Sequence, residues 1–177
     1  MPEVAKAAMV SEATAYRYFP DLASLLANAL AADWPNPAEA LGPVEPSNDP
    51  VERVAFATRF LLQGVAERQA VVRSMISATI AQPDLAPRAR PGVRFGLIEH
   101  ALAPFVDVLG AADPELLAQL RLDLAVVVSA EALFCLTDLC GLSTEDAIDS
   151  AEKTARTLTA AAFQQVNRAT RGRLAGR

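Results

Sequence analysis

The sequence is short of the residues that chemistry usually needs. One histidine, His100, and two cysteines, Cys135 and Cys140, stand in 177 residues. A single imidazole and two thiols do not make a zinc ligand set. Five residues apart on an α-helix, the thiols point in different directions and suit neither a disulfide nor a metal pair. There is no glycine-rich phosphate loop and no nucleophile elbow, and the acidic residues fall mostly on the solvent positions of helix patterns. No polar constellation converges as catalysis requires, so the expectation is no catalytic residue, no metal and no cofactor. No uninterrupted apolar run reaches the about 18 residues of a membrane span. Arg121, Asp123, Glu131 and Asp138 interrupt the most apolar region, Leu116 to Leu139. No basic start followed by an apolar run marks a secretory leader. These absences point to a reducing, cytoplasmic location and to no membrane partner. Cations are also in deficit: the net charge is −5 and the pI about 4.9, which argues against a chain that coats nucleic acid by bulk charge.

What the sequence has in quantity is alanine and leucine, within a hydrophobic content of 52%. Neither side chain loses much freedom on a helix. No segment alternates strictly as a strand does, and the one β-branched run, Val126-Val127-Val128, lies inside a helical pattern. The fold expected is all-α. Prolines punctuate it. Pro35, Pro37, Pro43, Pro46 and Pro50, with Gly42 and Asn48, predict a helix-free linker over residues 35–50. That linker separates a small head, residues 1–34, from a larger body, residues 51–177. Further breaks are expected at Gln82 to Gly92, Gly110 to Pro114 and Cys140 to Thr144. Between them, Val54 to Arg68 repeats its apolar residues at helical spacing, with Asp49 or Ser47 as a cap ahead of Pro50. Glu115 to Leu139 reads as one long apolar helix behind an Asp113-Pro114 start. The last helix opens on Ser143-Thr144-Glu145-Asp146, an approximate capping box. It carries an alanine-rich stripe, Ala147, Ala151, Ala155, Leu158, Ala162 and Val166.

The head reads as three short helices: Pro2 to Ala8, Glu12 to Tyr18 behind an N-capping Ser11, and Leu22 to Ala32. Ala5, Ala8, Val10, Ala15 and Phe19 fall where the first two must pack, and their small size permits a close crossing. This is the layout of a helix-turn-helix. The second helix then offers Glu12, Ala13, Thr14, Tyr16, Arg17 and Tyr18 outward. Short side chains at its start let it enter a major groove. Thr14 has the chemistry to meet base edges, and tyrosine hydroxyls and an arginine hold phosphates. Ser11, Glu12, Ala13, Thr14, Tyr16, Arg17 and Tyr18 are therefore the candidate DNA-binding residues.

The run Val4-Ala5-Lys6-Ala7-Ala8-Met9-Val10-Ser11 to Phe19-Pro20-Asp21, followed by Leu25-Leu26, resembles the tetracycline-repressor (TetR) family. The resemblance rests on a "VA-x-x-A" helix, a turn with "VS", and "T-x-Y-x-Y-F", and it covers about the first thirty residues. It implies a ligand-responsive transcriptional regulator, a repressor, that binds palindromic double-stranded operator DNA as a homodimer and lets go when a small apolar effector enters the body. It also implies dimerisation through the last two helices, near 115–140 and 145–168, which are too apolar to leave exposed on a monomer. Three departures stand out. Met9 occupies the turn position usually held by glycine, and Leu22 stands where a phosphate-binding lysine is frequent. The family's first helix would precede residue 2. With Lys6 and Arg17 against Glu3, Glu12, Asp21 and Asp33, the head carries a formal −2, and weak DNA binding by this chain is expected.

In the body, Phe56, Phe60, Met75, Phe95, Ile98, Leu102, Phe105 and Phe134 are the residue types that line adaptable apolar cavities. Arg59 and His100 are the polar groups placed to touch a ligand there. Taken singly, each apolar residue is better explained by core packing. Trp34 is expected to close the junction between head and linker. Arg168, Arg171, Arg173 and Arg177 form a solvated basic tail. A helical, dimeric ligand-binding or adaptor protein without DNA-binding activity remains the alternative reading.

Overall fold

A computed structural model describes the chain apart from residues 33, 91, 176 and 177, and describes side chains except also those of residues 22–23, 30–32, 88–89, 112 and 169–175. Most of the basic tail therefore lies outside the described residues. The described chain is all-helical, without a strand. In order the helices are α1 (Pro2–Ala7), α2 (Glu12–Tyr18), α3 (Leu22–Ala32), α4 (Pro37–Ala40), α5 (Pro50–Glu67) and α6 (Gln69–Ala81). They continue with α7 (Ala86–Ala89), α8 (Val93–Leu102), α9 (Val106–Ala112), α10 (Pro114–Val127), α11 (Ala130–Phe134) and α12 (Thr144–Ala175). Short 3₁₀ turns occupy Gly42–Val44, Pro83–Leu85 and Ala103–Phe105, and a π-turn occupies Cys135–Leu139.

The chain gathers into two compact units. One comprises residues 1–35 and 68–92, the other residues 36–67 and 93–177. In the first unit α1 packs on α2, and α3 packs on α6 and α7. Trp34 belongs here, under the Arg68 guanidinium at 5.7 Å from its ring centre. In the second unit α5 packs on α12 and α8, and α10 on α8, α9 and α12. The division departs from a head, a linker and a body in sequence, because residues 68–92 join the N-terminal segment.

The proline-rich stretch is not a helix-free linker. Asn36 caps α4 by accepting the Glu39 N–H at 3.0 Å, and Ala40, Leu41 and Val44 are buried. Its prolines stand where a missing N–H costs little: Pro37 opens α4, Pro43 lies in the first turn of a 3₁₀ segment, and Pro50 opens α5 behind Asp49. The Asp49 carboxylate accepts the Val51 N–H at 2.8 Å. Likewise Asp113 caps α10 through the N–H groups of Glu115 and Leu116. Ser143 accepts the Asp146 N–H at 3.1 Å, while the Asp146 carboxylate takes the Ser143 hydroxyl rather than completing the box on the backbone.

Two expectations about the last helices are corrected. Glu115 to Leu139 is not one helix. Val128 and Ser129 leave the helical conformation, and the Ser129 hydroxyl donates to the Val126 carbonyl and accepts the Ala132 N–H. A serine after three valines offers the backbone a local partner and restarts the helix. The alanine stripe of α12 is not a surface for a partner either. Ala147, Ala151, Ala155, Ala162 and Val166 are buried within the chain, where small side chains let helices approach closely.

One residue holds the second unit's carbonyl ends together. Arg53, on α5, is 1% exposed. Its Nε donates to the Ala101 carbonyl at 3.0 Å and one terminal nitrogen, Nη2, to the His100 carbonyl at 3.1 Å. These carbonyls belong to the last turn of α8, where intrahelical donors run out. The other terminal nitrogen, Nη1, donates to the Val44 and Glu45 carbonyls at 2.9 Å each, and Nη2 also meets the Glu45 carboxylate at 3.3 Å. All five guanidinium donors are matched. Arg53→Met is expected to cost about 3 kcal/mol in urea unfolding, since the buried carbonyls lose their donors. Arg53→Lys should recover only part of that, because an ammonium has three donors for five acceptor sites. Equal stability of wild type and Arg53→Met would contradict this account.

Candidate functional site

The α1–α2 pair is built by local chemistry. At the end of α1 the Val10 N–H donates to the Ala5 carbonyl at 3.0 Å and the Met9 N–H to the Lys6 carbonyl at 3.2 Å. This paired closure needs a left-handed residue after the helix cap, and Met9 takes it with φ +55°. A methionine here has the conformation a glycine would have, at the cost of Cβ strain. Met9 is 92% exposed, so its side chain offers no packing in return. Four residues after α1 ends, Ser11 caps α2: its hydroxyl accepts the Thr14 N–H at 3.1 Å and bonds the Thr14 hydroxyl at 2.8 Å. Ala5 and Ala15 are buried between the helices; Ala8 and Val10 are exposed, and Phe19 is half-buried. Of the five residues expected at that crossing, the structure buries two.

The outward face of α2 is open. Ser11, Glu12, Ala13, Tyr16, Arg17 and Tyr18 are exposed, and Thr14 is half-buried with its hydroxyl engaged in the cap. The Arg17 guanidinium lies 5.2 Å from the centre of the Tyr18 ring, a cation–π contact that holds cation and phenol side by side.

The candidate ligand-binding residues are dispersed. Met75 lies in the first unit and the others in the second. Ile98 and Leu102 are core residues, Phe95 is 53% exposed, and Phe56, Phe60, Phe105 and Phe134 are half-buried. Phe105 meets the Phe163 ring edge-on at 5.6 Å between centroids. Among the described residues, two of the cavities lie in the second unit. One, of ≈ 530 Å³, is an open cleft beside α4 and α8, lined by Asn36, Pro37, Gly96, Glu99, His100 and Val106 among others. Gly96 allows this approach: a Cβ there would come within 3.1 Å of the Pro37 ring. The other, of ≈ 440 Å³, is an apolar groove between α10–α11 and α12, lined by Val126, Val127, Ala132, Cys135, Leu136 and Ala151 among others. Of the candidate ligand residues, His100 alone lines either of these two.

The two polar candidates have structural partners. Arg59 donates from Nε to Glu152 at 2.7 Å, from Nη1 to Glu145 at 2.7 Å and from Nη2 to Asp149. One cation on α5 thus holds three carboxylates spaced along one face of α12, and Asp149, Glu145 and Glu152 together hold its pKa above the usual value. Sequence spacing gave those acids only as solvated helix positions. The His100 ring bonds the Glu45 carboxylate at 2.9 Å. That hydrogen bond, with further help from Arg53 against the cost of desolvation, holds the Glu45 carboxyl below its ordinary value of 4.5. Among the described residues no group of histidine, cysteine and carboxylate side chains is placed to hold a metal ion, and no helix is long and apolar enough to cross a membrane.

Comparison with family models, with curated proteins and with solved structures finds no match.

Two outcomes follow from the local chemistry. Met9→Gly should relieve about 1 kcal/mol of backbone strain, seen as slower amide exchange at Met9 and Val10, whose N–H groups close the turn. Faster exchange in that variant would contradict the strain assignment. A depressed carboxyl favours the folded state above its unfolded pKa, and the gain is lost as pH falls through the folded value. The stability difference between wild type and Glu45→Gln should therefore shrink on acidification from about pH 5 to about pH 3. Urea midpoints across that range give the comparison, and a difference that grows in acid would rule out the Glu45 assignment.

Proposed function

We propose that the chain is a ligand-responsive transcriptional regulator of the TetR kind, a repressor in which α1 and α2 form a helix-turn-helix head. In this reading α2 enters the major groove of a palindromic operator. The observation that carries it is the α1–α2 turn: a paired backbone closure on a left-handed Met9, then a Ser11-capped helix whose outer face is unobstructed. It coincides with the stretch whose residue order resembles the family. Arg17 and Tyr18 are exposed side by side to hold phosphates, while Ala13 and Tyr16 stand nearest to base edges by their exposure. Thr14, tied into the cap, acts first on helix geometry and only then on bases.

A homodimer is part of the proposal, through a face other than the alanine stripe. Leu122 and Val126 of α10 are 63% and 71% exposed, and Leu139 is 82% exposed. Val126 lines the apolar groove together with Ser150 and Thr154 of α12, and Leu122 stands one helical turn before it on α10. Isolated surface leucines are ordinary, but exposed apolar residues on α10 together with an apolar groove fit a self-associating surface. Release from DNA is assigned to a small apolar effector entering the second unit. The head's formal −2 favours one further reading, a helical dimer that binds a ligand or partner without reading DNA.

One titration separates the two. Fluorescence anisotropy with randomised duplexes at low salt should detect weak binding. Arg17→Ala should weaken it for all sequences and reduce the salt slope by about one phosphate contact, while Thr14→Ala should alter which sequences are preferred. Identical titrations for wild type and Arg17→Ala, or no binding by either, would remove the DNA-binding reading and leave the ligand-binding dimer.

A further inference from the structure

The two cysteines stand in a setting that α-helical spacing does not provide. Both thiols are free and exposed. The backbone between them is a π-turn, Cys135–Leu139, closed by the Cys140 N–H donating to the Cys135 carbonyl at 3.3 Å. In an α-helix a residue bonds four positions back, and its fifth neighbour faces elsewhere. Here the bond spans five positions, so the backbone of Cys140 lies one turn beyond that of Cys135. Gly141 follows with φ +70°, and the Leu142 N–H reaches back to the Leu136 carbonyl at 3.1 Å. The turn is thus closed on the C-terminal side of the pair. Disulfides require close Cα atoms and converging side chains, and a five-residue backbone bond supplies the proximity that the sequence spacing seemed to forbid.

We propose that Cys135 and Cys140 are a redox-active dithiol that closes to an intrachain disulfide when exposed to a small-molecule disulfide such as oxidised glutathione. One cysteine thiolate attacks a sulfur of the small disulfide, forming a mixed disulfide and expelling one small thiolate. The second cysteine thiolate then attacks the protein sulfur of that mixed disulfide, forming the Cys135–Cys140 bond and expelling the other small thiolate. The protein loses two thiol protons and two electrons; the small disulfide is reduced to two thiols. Both groups are exposed, as the attack requires. Cys135 also lines the apolar groove, so the bridge converts a thiol on that wall into part of a closed loop. The pairing does not depend on DNA binding.

The full chain, incubated with oxidised glutathione, is read by intact mass and by alkylation. The expected result is a loss of two hydrogens, with both cysteines protected from iodoacetamide and restored by a reductant. Cys135→Ser and Cys140→Ser should each instead retain one glutathione, since the second attack has no thiol to make it. The bridge should form faster in the native protein than in urea, where the π-turn is gone. Two stable glutathione adducts on the wild type, or a disulfide to a second copy in place of the intrachain bridge, would overturn the proposal. So would faster closure in urea.

Discussion

The second unit depends on a charge buried in it. Arg53 sits on α5, the helix that also meets α8 and α12. Burying a guanidinium is costly unless every donor finds an acceptor. The acceptors here are backbone carbonyls at the end of α8 and in the turn after α4. One side chain therefore meets two needs: the arginine finds acceptors, and the last turn of α8 finds donors. The positive charge also opposes the negative end of the α8 dipole. Because the carbonyls come from two segments far apart in sequence, the same contact fixes where the proline-rich stretch returns to the body. The Glu45–His100 pair lies at the edge of this arrangement and completes it with a solvent-facing carboxylate.

Arg59, two turns further along α5, works by another principle. It is partly exposed, and its three acidic partners sit on α12. In water such pairs contribute little singly; their value is geometric. Acids at positions 145, 149 and 152 fall on one helix face, and a single planar cation touching all three sets the rotation of α12 about its axis. That rotation decides which residues α12 buries and which it shows to solvent. The alanines are consequently inside, and Ser150 and Thr154 border the groove.

Local signals were legible in the sequence and long-range partnerships were not. The helices Glu12–Tyr18 and Leu22–Ala32, and the caps Ser11, Asp49 and Asp113, were readable because each depends on a few adjacent residues. The structure places Ser11 and Asp113 as expected and all seven α2-face residues on one short segment. The broken helix at Val128–Ser129 was missed, since its apolar periodicity continues through the break and only the serine hydroxyl betrays it. Arg53 was invisible: a lone arginine in an amphipathic pattern looks like a surface residue, and its acceptors on α8 lie 47 and 48 positions away. The dispersal of the phenylalanines has the same cause. Residue type says which side chains suit an apolar cavity, but only the packing of distant helices says whether a cavity gathers them. The backbone between the two thiols was not legible either, because a π-turn changes the angular step per residue.

The interleaving of the two units has a consequence for synthesis. Residues 1–35 do not complete a unit by themselves; α3 packs on α6 and α7, which arrive only with residues 68–92. A ribosome therefore releases the N-terminal helices before their packing partners exist, and the intervening segment, α4 and α5, belongs to the other unit, whose own remainder emerges last. Neither unit closes cotranslationally from an uninterrupted stretch. A single cut in the chain likewise cannot separate them as intact pieces, because the backbone crosses the boundary three times. Fragments that begin or end at the proline-rich stretch leave one unit short of a segment, however well that stretch serves as a visual boundary in the sequence.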